Sequence, residues 1–75
     1  MIRFRLKELI ADKEFRESRQ VTLGEISNET GIHRATLSKI ANERGYTTRT
    51  DSVDKLCQYF DCKVEDFMQY FAEDE

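Results

Sequence analysis

The chain contains no proline and no tryptophan, only three glycines, two cysteines and a single histidine in 75 residues. Each scarcity excludes something. The lack of proline argues against a flexible linker. Cys57 and Cys62 have no second cysteine pair and no histidine close in sequence to complete a tetrahedral site, so no metal is expected. They read as small core residues of a reducing compartment. No apolar run approaches the roughly 20 residues that span a bilayer, and the opening residues 1–7 lack a signal-peptide core. The expectation is a cytoplasmic protein with no membrane partner. His33 is the only histidine, and no carboxylate pair is spaced around it for acid–base work. An enzyme is therefore the weakest class, and no cofactor is expected.

What the chain has is charge. Charged residues make up 36% and hydrophobic residues 39%, proportions that suit one helical domain over residues 1–75 with a heavily solvated surface. A domain this size buries only slightly more than about 60% of its unfolded surface, so a partner subunit would help it. The formal net charge is −3, but it is unevenly distributed. Residues 1–32 sum to zero, residues 33–49 hold Arg34, Lys39, Arg44 and Arg49 against Glu43, and residues 50–75 hold two bases against eight acids. The basic island occupies one stretch of chain.

That stretch belongs to the most informative segment, residues 22–42. Thr22 and Glu25 have capping-box spacing, the hydroxyl accepting from the Glu25 N–H and the carboxylate reaching back to the Thr22 N–H. Val21 and Ile26 flank the cap as a hydrophobic staple. Ile26 and Thr30 then share a face, and Ser27 beside them is small enough for a second helix to approach. Gly31 supplies the left-handed residue that ends a helix. Beyond it, Ile32 and Leu37 repeat the staple around His33, and Leu37, Ile40 and Ala41 make the inward stripe of a second short helix. Its outer side is left with Arg34, Ala35, Ser38, Lys39 and Asn42, with Thr36 near the edge. Two short helices set steeply by a glycine turn are the unit that lays one helix in the DNA major groove. Arginine pairs bidentately with guanine, asparagine with adenine, and alanine or a threonine methyl meets the thymine methyl.

With Ile26, Ser27, Gly31, Ile32, Leu37 and Ile40 at these spacings, followed downstream by D-S-V-D-K-L-C-Q-Y-F-D-C-K-V-E-D-F, the chain resembles the Cro and phage-repressor helix-turn-helix family over roughly residues 5–70. Three positions depart from its pattern: Ser27 stands where alanine is usual, His33 where serine or threonine commonly caps, and Leu23 where a polar phosphate contact often sits. The resemblance implies an all-α, five-helix domain with double-stranded DNA as partner and a recognition helix at about residues 33–42. His33, Arg34, Ala35, Ser38 and Lys39 are the expected base readers. Thr22, Thr36, Asn42, Arg44, Thr47, Thr48 and Arg49 are the expected backbone contacts, since hydroxyls, amides and guanidinium groups fix register on phosphates without reading sequence. His33 is equally well read as a helix cap. For Tyr46, in the loop of residues 43–50, packing on the core and lying along DNA are both open.

The flanks complete the expected fold. Leu6, Leu9 and Ile10 predict a first helix to about Ser18, with Phe15 contributing from a neighbouring face. Val53, Leu56, Cys57 and Phe60 predict a fourth helix capped by Thr50, Asp51 or Ser52. Val64, Phe67, Met68 and Phe71 repeat the helical spacing, while a strand or subunit contact after Phe67 competes with a longer helix. Ile2, Phe4 and Leu6 alternate with Arg3 and Arg5, as in a strand, and are expected to pair near residues 70–73, within the chain or across a dimer. Ile2, Phe4, Met68, Tyr70 and Phe71 offer more apolar surface than so small a core needs, which suggests a homodimer. The class of function that fits is a transcriptional regulator with no evident small-molecule effector. The alternative is a protein-binding module or antitoxin-like partner protein on the same fold.

Overall fold

A computed structural model describes residues 1–72 of the chain. Eleven apolar side chains, from Leu6 and Leu9 through Val21, Ile26, Ile32, Leu37, Ile40, Val53, Leu56 and Phe60 to Phe67, form a single buried cluster. The elements around it run β1 (Ile2–Phe4), α1 (Leu6–Glu17), α2 (Leu23–Thr30), α3 (Arg34–Asn42), α4 (Thr50–Phe60), α5 (Val64–Phe67) and β2 (Met68–Tyr70). The five-helix architecture expected from the sequence is present, with a short antiparallel strand pair added. Every residue of the predicted stripes on α2 and α3 that should face inward is buried or half-buried.

Local chemistry explains the element ends. Thr22 Oγ1 accepts from the Glu25 N–H at 3.1 Å, which satisfies one free donor of α2. Gly31 closes the helix in the left-handed region at φ 80°, and its N–H donates to the Ser27 carbonyl at 2.8 Å. At the end of α4, Asp61 takes φ 53° while the Cys62 N–H donates to Cys57 O at 3.0 Å and the Asp61 N–H to Gln58 O at 3.2 Å. This is a Schellman turn, whose geometry brings the first and sixth residues together. Cys57 and Cys62 are those residues, both half-buried against the core. Burial, with the neighbouring Cys57 thiol, pushes the Cys62 pKa up to about 11, so Cys62 behaves as a packing group rather than as a reactive thiolate.

The strand pair joins the two ends of the chain in one molecule, with Ile2 opposite Tyr70, Arg3 opposite Gln69 and Phe4 opposite Met68. The partner strand is Met68–Tyr70, with Phe71 exchanging backbone hydrogen bonds with Met1, so the expected pairing near residues 70–73 is met at Tyr70 and Phe71 and begins two residues earlier; Glu73 lies outside the described residues. The extended helix predicted by Val64, Phe67, Met68 and Phe71 stops at Phe67, because the chain turns there to pair with β1. Phe67 is fully buried and stacks on Phe4 at 5.4 Å between ring centroids, whereas Val64 is exposed. Phe4 and Met68 therefore pack on their own core, and the apolar surface left at this end is Ile2, Tyr70 and Phe71, exposed to 38, 69 and 40%.

Three further expectations are corrected. Phe15 is 88% exposed and contributes nothing to the core, because α1 turns that face to solvent. Residues 50–52 lie inside α4 rather than capping it; Arg49 occupies the cap position and makes no side-chain cap bond. The Thr22 and Glu25 capping box is only half formed, since the Glu25 carboxylate is drawn to Arg19 instead of the Thr22 N–H.

Candidate nucleic-acid interface

The interface is built on α3. Leu37 and Ile40 anchor one side of this helix in the core, so the residues between them in helical phase must face outward. His33, Arg34, Ala35, Ser38, Lys39 and Asn42 are all exposed, and Thr36 is half-buried at the edge. The Asn42 amide donates to the Ser38 carbonyl at 3.0 Å. His33 stands at the cap position of α3, but its side chain makes no cap bond, which overturns the reading of His33 as a helix cap.

The first turn of α2 lies against this face. A Cβ built on Gly24 would sit 3.7 Å from Thr22 Oγ1 and 3.8 Å from the Cζ and Nε of Arg34. The Arg34 guanidinium therefore lies close to Gly24 in the first turn of α2. Gly24 was not among the residues singled out from sequence. A glycine inside a helix is less stable than alanine by roughly 0.5–1 kcal/mol, and the contacts here are of ordinary van der Waals length, so close approach does not require glycine at this position. Leu23, by contrast, is half-buried and packs against the core.

The loop of residues 43–49 supplies the remaining basic groups. Gly45 turns it at φ 72° and packs against the Met1 side chain, and Arg44 Nε lies 3.3 Å from the Met1 sulfur. Tyr46 is half-buried on the core, which settles its structural placement. Thr47 is exposed, Thr48 half-buried, and Arg49 exposed with its Nε 3.3 Å from Asp51. The helix face and the loop thus adjoin along the chain, while Asp51, Asp54, Asp61, Glu65 and Asp66 are exposed on α4, α5 and the turn between them. Cations and hydroxyls on one stretch with acids on another give a polyanion an oriented approach. Among the described residues no helix is long and apolar enough to cross a membrane.

Comparison with protein families gives a match that covers residues 5–73 with the Cro/C1-type HTH DNA-binding domain. The chain belongs to that family. Comparison with curated proteins and with solved structures gives no match. Membership makes this Cro/C1-type chain a DNA-binding domain of the regulator class.

Proposed function

We propose that this Cro/C1-type protein is a sequence-specific transcriptional regulator that binds double-stranded DNA with α3 in the major groove. The observation that carries the reading is the coincidence of three things on one helix: a buried apolar side, an exposed side of groove-reading residue types, and Arg34 and Lys39 of the basic stretch that the following loop continues. Ala35, Ser38 and Lys39 project from the middle of the exposed side and Arg34 and His33 from its start; these are the proposed base readers. Thr22, Thr36, Asn42, Arg44, Thr47, Thr48 and Arg49 surround them as backbone contacts. Occupying a site, and so blocking or recruiting the transcription machinery, is the proposed mode of action.

One α3 reads few base pairs, so two copies on half-sites about 34 Å apart are proposed. Ile2, Tyr70 and Phe71 are the exposed apolar residues beside the strand pair that support a self-contact, with Phe4 and Met68 beneath them. Sedimentation that finds a monomer at high micromolar concentration, both free and on DNA, would end the dimer proposal.

Reading and holding separate by mutation. Arg34→Ala should weaken the best site by about 1–3 kcal/mol and relax preference at one base position. Arg44→Ala or Arg49→Ala should weaken all duplexes alike and lower the salt slope by about one unit, because one fewer counterion is released. If Arg34→Ala leaves preference intact while Arg49→Ala changes it, the two roles are wrongly assigned.

A further inference from the structure

Five side chains from α1, the connector, α2 and α4 close into a ring. Lys13 Nζ donates to Glu17 Oε2 at 2.8 Å, Arg19 Nε to Glu17 Oε1 at 2.8 Å, and the two terminal nitrogens of Arg19 to the two Glu25 oxygens at 2.8 Å each. The Tyr59 hydroxyl donates to Glu25 Oε2 at 3.4 Å, and Lys13 Nζ lies 4.9 Å from the centre of the Tyr59 ring. Among the described residues no other ion-paired set joins so many elements.

The ring meets the proposed DNA face at one point. Glu25 is the third residue of α2, adjacent to Gly24, in the turn that carries Thr22 and lies close to the Arg34 guanidinium. A bare carboxylate there would oppose approaching phosphates. Arg19 holds it in a bidentate pair, the strongest geometry open to an arginine and a carboxylate. This pairing is the main cause that keeps the Glu25 carboxyl below its ordinary pKa. Arg19 has little left to offer a ligand: a guanidinium has five N–H donors, and here four hydrogen bonds run from it to Glu17, Gln20 O and both oxygens of Glu25.

We propose that Arg19 is a positioning residue for DNA binding: it masks Glu25 and fixes the first turn of α2 against α1 and α4, so that Thr22 meets the phosphate backbone while Arg34, lying near that turn, reaches the bases, without Arg19 touching DNA. The role rests on the DNA reading above. It requires the pair with Glu25, so the second partner provides the control.

The test compares Arg19→Ala, Glu25→Gln and the double variant by binding to a selected and a scrambled duplex at several salt concentrations, and by backbone amide spectra of the DNA-free proteins. Arg19→Ala should weaken both duplexes by about three- to ten-fold, the scale of one unmasked surface charge. Adding Glu25→Gln should recover most of that loss, and the amide signals of Thr22, Leu23 and Gly24 should move in Arg19→Ala without DNA. A loss that persists in the double variant with a salt slope lower by about one unit would show Arg19 on a phosphate and overturn the proposal. Unmoved amide signals would overturn it as well. If the unaltered protein binds no duplex, the DNA reading and the role fall together, while the amide spectra still report whether Arg19 holds α2; the two failures are thereby told apart.

Discussion

Replacing Gly31 by alanine isolates the backbone contribution of the turn between α2 and α3. The glycine sits at φ 80°, and a Cβ added there meets no atom within 4 Å, so no packing change accompanies the substitution. The cost is conformational: an L-residue in the left-handed region is disfavoured by roughly 1–2 kcal/mol. The unfolded chain of the alanine variant is stiffer, which offsets about 0.4–1 kcal/mol of this. A net loss of about 1 kcal/mol remains, and in a domain of this size that lowers the thermal midpoint by about 4–8 °C. Ser18 provides the opposite sign. It ends α1 at φ 54° without being glycine, so Ser18→Gly relieves the same strain and should raise the midpoint by a few degrees. Thermal and urea unfolding followed by circular dichroism measure both, with an unchanged urea slope showing that only stability has moved. An unaltered midpoint for Gly31→Ala, or a loss far beyond about 2 kcal/mol, would refute the reasoning that backbone geometry alone sets the effect.

Two other predictions concern stability. Phe67→Ala removes a fully buried ring stacked on Phe4 and should cost about 3–5 kcal/mol. The whole domain commands about 4–11 kcal/mol at ordinary per-residue values, so the variant should melt tens of degrees lower or be largely unfolded in calorimetry. The second is acid sensitivity. Hydrogen bonds from Lys13 to Glu17 and from Arg19 to Glu25 are the leading causes that depress these carboxyls below 4.5. A depressed folded-state pKa stabilises above the unfolded value and loses that contribution as pH falls through the folded one. Midpoints should therefore decline on acidification below about pH 4.5, less steeply in Arg19→Ala than in the unaltered chain; parallel curves would remove the ring from the account.

The parts of the fold that were legible in the sequence are those set by local period and end chemistry. Thr22, the Val21 and Ile26 staple, Gly31 and the Leu37, Ile40, Ala41 stripe all act within a few residues, and the structure places each where that chemistry requires. The strand pairing was legible only in outline, because after Phe67 the helical spacing of Met68 and Phe71 competes with a strand. Pairing with β1, some 66 residues away, decides between them. The Arg19 ring was hidden for the same reason: Glu25 at the third helical position satisfies the capping-box pattern, yet a guanidinium and Tyr59, which is 34 residues distant, compete for it and win. Phe15 illustrates the reverse error, in which an aromatic near an apolar stripe need not belong to it. At the candidate interface the sequence identified which side chains α3 exposes. It did not show that Arg34 lies close to Gly24, because that contact depends on how α2 and α3 meet in space.

Selection of bound fragments from a random pool of double-stranded DNA, followed by affinity measurement on the enriched and a scrambled duplex at several salt concentrations, tests the central claim most directly. Sequence-specific reading by α3 predicts enrichment of a defined motif bound at least about a thousand-fold more tightly than the scrambled duplex. Log affinity for both duplexes should fall linearly with log salt. Equal affinity for both duplexes, or no enrichment under low-salt conditions that favour binding, would contradict it.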